Sequence, residues 1–158
     1  MLPLFSPAIK PLEMLRLKLD NGAVESSFFE NTRLIGIVAP VKYYSFTLNV
    51  NRNMGFNFRI NNQLEINLKR KGRNYFFHVY EFTAASGDIV HYLYHNHHEG
   101  ESLLPEFKTM DFIWLLKFDV AAEKEISSLI NEIKKQPGVQ LVTEIPKEKV
   151  KNKEHLIL

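Results

Sequence analysis

Phe112-Ile113-Trp114-Leu115-Leu116-Lys117-Phe118 is apolar at every position but one, the pattern of a β-strand buried on both faces. The residues after it have another period. Ile126, Leu129, Ile130 and Ile133 recur at helical spacing, with Glu123, Lys124, Glu132 and Lys135 on the other side, so an amphipathic helix is predicted there. Asp119 is placed to cap its start and Pro137-Gly138 to stop it. Val139–Ile145 then reads as another strand, giving a strand-helix-strand unit.

Upstream lie three runs with turn punctuation. Leu64, Ile66 and Leu68 alternate with Glu65, Asn67 and Lys69, and Lys71-Gly72 makes a hairpin turn. Tyr75–Thr83 is aromatic on both faces and reads as a central strand. Ser86-Gly87-Asp88 turns the chain into a third strand, Ile89–His95. Leu34-Ile35-Gly36-Ile37-Val38 reads as a short strand within 31–39. Residues 40–55 are two-faced: Tyr44, Phe46, Leu48 and Val50 alternate like a strand, while Val41, Tyr44, Leu48 and Asn51 share a helical face. Pro40 fits a first helical turn and Gly55 a C-terminal cap, and these boundary signals favour a helix despite poor helix formers between them. Leu15, Leu17 and Leu19 alternate with Arg16 and Lys18 in a strand that Asn21-Gly22 ends.

The Pro-bearing stretch 1–13 reads as an extended N-terminal extension, with one domain over 14–158. The expected class is α+β: a two-layer domain with an antiparallel or mixed sheet of about five to six strands and two main helices on one face. A tail ending in Leu156-Ile157-Leu158 is apolar enough to dock on the core.

A length of 158 residues suits a single core, and 45% hydrophobic residues argue against disorder. Without Cys there are no disulfides, thiolate nucleophiles or Cys zinc sites, which fits a cytoplasmic protein. The net charge of +2 is too small to call for nucleic acid by itself. No uninterrupted apolar run approaches the ~18 residues of a membrane span, so no membrane partner is expected. Phosphate loops, G-x-G-x-x-G and G-x-S-x-G are missing, so no cofactor is expected.

Three places carry candidate chemistry. The first is Leu104-Pro105-Glu106-Phe107-Lys108-Thr109-Met110-Asp111-Phe112. Pro105 restricts Leu104 to extended backbone. Glu106 and Asp111 read as turn organisers that accept backbone amides, with a functional carboxylate pair as the rival reading. The second is His91, His95, His97 and His98, followed by Glu99 and Glu101. On a strand, His95 and His97 would share a face about 7 Å apart, a weak metal pair, with His91 too far away to join. The third is Lys69-Arg70-Lys71-Gly72-Arg73 beside Tyr75, Phe76 and Phe77. A basic hairpin tip with aromatics is an RNA-binding pattern, and equally the pattern of a hairpin kept soluble.

The first stretch resembles the family of small bacterial proteins named for the motif Ile-Pro-Glu, three variable residues, Val-Asp-Tyr. Pro105, Glu106 and Asp111 match, while Leu104, Met110 and Phe112 replace Ile, Val and Tyr. The leading strand, Leu34–Ile37, Glu99-Gly100 and the tail also look like the family pattern. The resemblance implies a cytosolic bacterial protein and no reaction. The expected function is therefore a non-catalytic binding or protein-interaction module with an unidentified protein partner, contacted through Glu106, Asp111, Glu99, Arg70 and Arg73. The alternatives are an RNA-binding protein using 69–73 and an enzyme using Glu106 and Asp111.

Overall fold

The computed structural model describes residues 27–118 and 123–158. The expected extension over 1–13, the strand around Leu15–Leu19 and the Asp119 cap lie outside them. The chain divides into two units, Met1–Glu30 and Asn31–Leu158. Among the described residues, every strand belongs to the second.

The apolar run Phe112–Phe118 forms a strand with all residues but Lys117 buried. Numbered in chain order it is β9, after β1 (Thr32–Val38), β2 (Arg59–Ile60), β3 (Ile66–Arg70), β4 (Arg73–Phe77), β5 (Val79–Thr83), β6 (Ile89–His95), β7 (His97–His98) and β8 (Glu101–Ser102). β10 (Leu141–Ile145) comes last. Six of these make one sheet in the order β10-β1-β9-β6-β5-β2, with every neighbouring pair antiparallel. The class is α+β and the sheet is antiparallel rather than mixed.

Two helices accompany the sheet in this unit: α1 (Tyr43–Met54) and α2 (Glu123–Lys134). The boundary signals around α1 outweigh its alternation, and Gly55 caps it in the left-handed conformation (φ 72°). Pro40 stands before the helix, not in its first turn, because the cap position falls at Lys42. The buried side chains of α1 are Phe46, Thr47 and Val50. Tyr44 and Leu48, which the helical pattern singled out, are 53% and 51% exposed.

Phe46 and Val50 form one hydrophobic cluster with Ile126, Leu129 and Ile133 of α2 and with Ile35, Leu93, Trp114, Leu116 and Val142 of the sheet. Phe46 stacks on Phe112 with ring centres 4.3 Å apart. Ile113 and Leu115 alternate with Phe112, Trp114 and Leu116 and are equally buried. The strand therefore reads apolar throughout because neither side meets water.

One expectation needs correction. Tyr75–Thr83 is not one central strand: it breaks at His78. β4 pairs with β3 in a separate ribbon closed by Lys71 (φ 51°) and Gly72 (φ 74°), the positive-φ pair that suits a two-residue hairpin. β5 pairs with β6 and β2 in the main sheet. One aromatic segment thus serves two sheets, which gives it apolar residues on both faces. The strand-helix-strand unit is present in the expected order, and the sheet places a further strand inside it. β1 lies between β9 and β10 and is antiparallel to both, so those two strands run parallel without touching.

The tail docks as expected. Val150 and Leu156 are buried, and the Tyr94 hydroxyl donates to the Leu156 carbonyl at 2.7 Å. Arg33 of β1 ties this edge further, pairing with Glu144 of β10 and, at 2.6 Å, with Glu123 at the start of α2. Gly36 of β1 allows Met110 to lie over the sheet. A Cβ there would come 2.9 Å from Ile145 Cδ1 and 3.0 Å from Met110 Sδ. Gly36→Val should destabilise the fold by about 1–3 kcal/mol through overpacking. A urea melt would show it as a lower midpoint, and an unchanged midpoint would contradict this packing.

Candidate functional site

The motif loop follows the β7–β8 ribbon and is held from the end of β6. There Asn96, wholly buried, turns its carboxamide into the loop. Its Nδ2 donates to the Phe107 carbonyl (3.0 Å) and the Met110 carbonyl (2.8 Å), and its Oδ1 accepts the Leu104 amide (2.9 Å). Its backbone N–H donates to the Asp111 carbonyl, and its own carbonyl accepts the Leu103 amide. Leu104 is extended, as Pro105 requires, and Pro105–Phe107 form a short 3-10 turn. A buried amide with every valence filled fixes a loop that has little regular structure of its own.

With the loop fixed, its two carboxylates diverge. Glu106 Oε1 accepts the backbone amides of Lys151 and Asn152, each at 3.0 Å, and its Oε2 accepts the Asn152 side-chain amide at 2.8 Å. Asp111 Oδ2 accepts the Ala39 amide at 2.8 Å, just past the end of β1. The turn-organiser expectation therefore holds for the chemistry but not for the address. Both side chains bind backbone amides, and the hydrogen bonds at 2.8–3.0 Å reach amides of distant segments. Burial pushes the Glu106 carboxyl up. The amides of Asn152, Glu106 itself and Lys151, with the Asn152 side chain, outweigh that and hold its pKa below the ordinary value.

The basic hairpin is similarly engaged. Arg70 donates to Glu101 (3.1 Å) and to the Ser102 carbonyl (2.6 Å). Arg73 pairs with Glu99 at 3.0 Å and lies over the Tyr75 ring. Both guanidinium groups thus bind the β7–β8 ribbon that leads into the motif loop. A phosphate contact would compete with those carboxylates for the guanidinium groups, which counts against the RNA-binding pattern.

The histidines do not converge on one point. The His95 and His97 rings are 6.4 Å apart and nearly perpendicular. His97 meets Ser102 Oγ at 3.2 Å and Asp111 Oδ1 at 3.6 Å, while His95 stacks on Tyr43. Among the described residues no three His, Asp or Glu side chains are grouped to hold a metal. Burial, followed by the nearby His97, His78 and His98, pushes the His95 pKa down to about 4, so its ring is neutral at pH 7.

A different residue of the cluster lines a cavity. A cleft of about 490 Å³ has Met54, Phe56, Ile89, Leu116 and Leu129 as its apolar wall, with His91 among them. Lys124, Glu125, Ser128 and Glu132 of α2 stand at the rim. His91 is 94% buried, and burial lowers its pKa to about 4. Its Nδ1 accepts the Trp114 indole N–H at 3.0 Å. Phe56 sets its edge against both rings, 5.0 Å from His91 and 5.3 Å from Trp114.

Compared with known protein families, with curated proteins and with solved structures, the chain matches none. No helix among the described residues is long and apolar enough to cross a membrane.

Asn96 is inconspicuous in the sequence, a single amide between His95 and His97. Its only signal there is a strand-avoiding residue beside a nine-residue stretch rich in turn chemistry. His91 is equally hard to single out, because its partners Trp114 and Phe56 are far away in the chain. Asn96→Ala would orphan the Leu104 amide and the Met110 carbonyl and take one of two donors from the Phe107 carbonyl, and should cost about 3 kcal/mol. Glu106→Gln carries a pH signature. Because the folded pKa is depressed, the carboxylate stabilises the fold fully above the ordinary 4.5 and loses that effect as pH falls through the folded value. Urea melts should therefore separate variant from wild type at neutral pH and bring them together in acid. An equal gap at both pH values would contradict the clasp.

Proposed function

We propose that this is a non-catalytic binding protein that takes a small ligand in the cleft between the end of α1, α2 and the sheet. The observation that carries this reading is the cleft itself: an apolar wall with the buried His91 in it and a polar rim of Asn53 and α2 side chains, in the volume range of about 300–1,000 Å³ common to small-molecule sites. The groups that the sequence offered for chemistry support it by contrast. Glu106, Asp111 and Arg70 hold segments of their own chain, and Glu99 holds Arg73. A substrate would have to compete with these intramolecular partners for the same groups.

The same contacts support the resemblance to the Ile-Pro-Glu family. Pro105 sets the backbone, Glu106 grips the tail and Asp111 grips the end of β1, so the shared letters have a structural task independent of any reaction. With it go a bacterial, cytoplasmic protein and a two-layer domain with both helices on one face. The mixed cluster of helix and sheet residues is what supports that layering. A protein partner is the second reading, favoured by Tyr44 and Leu48, which lie exposed one turn apart on α1.

A screen of neutral aromatic fragments, read by backbone amide shifts, tests the cleft. Perturbations should gather at Phe56, Ile89 and Leu129 and disappear in Ser128→Trp, which fills the mouth from an exposed helical position. That variant should melt near the wild-type temperature. Perturbations gathered on 99–112 instead, or none with any fragment, would contradict the proposal.

A further inference from the structure

The cleft also has a defined hydrogen-bonding sense, set by Trp114. An indole N–H can only donate. Since it donates to His91 Nδ1, that nitrogen carries no proton, and the neutral imidazole must carry its proton on Nε2. The buried ring is thereby locked in one tautomer by a neighbour in the next strand, for Leu93 pairs with Trp114 and His91 with Leu116 across β6 and β9.

Nε2 has no partner among the described residues, although no fully buried side-chain nitrogen or oxygen lacks one. Nε2 therefore keeps access to space, and the space His91 lines is the cleft. The Nε2–H donor thus faces the cleft, and an acceptor on a ligand there would pair with it. The rest of the wall is Phe56, Ile89, Leu116, Leu129 and Met54, which suits a flat apolar body. The rim carries Lys124, Glu125 and Glu132, and Glu132 is paired with Lys135 at 2.7 Å, so its charges balance and it offers no excess of either sign to draw an ion.

We propose that the cleft binds a neutral, flat, largely apolar molecule through one hydrogen-bond acceptor, a carbonyl oxygen or ring nitrogen, received by the Nε2–H of His91. This rests on the cleft being the binding site and adds the chemical class of its ligand. His91 would read the acceptor, Phe56 would pack against the body, and Trp114 would act as a positioning residue by fixing the tautomer.

The test uses two probes of one shape, 2-acetylnaphthalene and 2-ethylnaphthalene, which differ in the carbonyl. Binding is followed on the full chain by nitrogen–proton correlation spectra. Trp114 is the one Trp of the chain, so its indole signal is unambiguous. The ketone should bind roughly tenfold more tightly than the hydrocarbon, the worth of one well-made hydrogen bond. It should also shift the His91 and Trp114 ring signals. In His91→Phe the preference should fall to parity while the hydrocarbon still binds. Equal affinities in the wild type would overturn this inference and leave the cleft as a binding site. Failure of both probes, with the fragment perturbations still gathered in the cleft, would overturn the ligand class alone. Should His91→Phe not fold, long-range nitrogen–proton correlations of the wild-type imidazole decide. A protonated Nε2 with a bare Nδ1 is expected, and the opposite tautomer would overturn the inference.

Discussion

The carboxamide of Asn96 is the contact on which the arrangement of this chain depends. It is buried without remainder, so its two donors and its acceptor must be met inside the protein. The groups that meet them are the backbone of the motif loop at Leu104, Phe107 and Met110. A nine-residue connection that would otherwise wander is bound to one point. From that point Glu106 and Asp111 reach in two directions, to the tail at Lys151–Asn152 and to the end of β1 at Ala39. The sheet keeps β1 between two parallel strands, and the tail keeps Leu156 over Tyr94. Four separate pieces of chain are thus held through one amide and two carboxylates.

Groups that sustain the fold are thereby distinct from groups that remain available. Arg70, Glu99, Glu101, Glu106 and Asp111 are polar and partly exposed, the usual appearance of a functional surface. Each one makes at least one hydrogen bond to its own chain. His91 has the opposite character. It is buried, neutral and silent in charge, yet its Nε2 has no partner among the described residues and the ring lines an open cleft. An unspent donor in an apolar setting is a stronger pointer to a ligand than a surface carboxylate already bound to backbone.

Much of the fold was legible in the residues. Ile89–His95 and Phe112–Phe118 form strands over the expected spans, and the Pro137-Gly138 stop, the Lys71-Gly72 turn and the Gly55 cap are where their chemistry put them. These are local signals, in which backbone preference and burial agree. What escaped was set by partners distant in sequence. Nothing within Tyr75–Thr83 says that its halves pair with different strands. Nothing in β9, α2 and β10 says that β1 comes between them. The Glu106 partners lie about 45 residues on and the Asp111 partner 72 residues back, so their residue types were readable and their targets were not. The cleft escaped for the same reason, since Phe56, His91, Leu116 and Leu129 meet only after the sheet and helices have formed.

The central claim, that the motif loop is a structural clasp, can be tested directly by native-state hydrogen exchange at three backbone amides. These are Leu104 (bound to Asn96 Oδ1), Ala39 (bound to Asp111 Oδ2) and Asp111 (bound to the Ile37 carbonyl). In a clasp they should exchange as slowly as Trp114 in the middle of β9, by opening of the whole unit. Exchange at the rate of an unprotected loop, with Trp114 still protected, would contradict it.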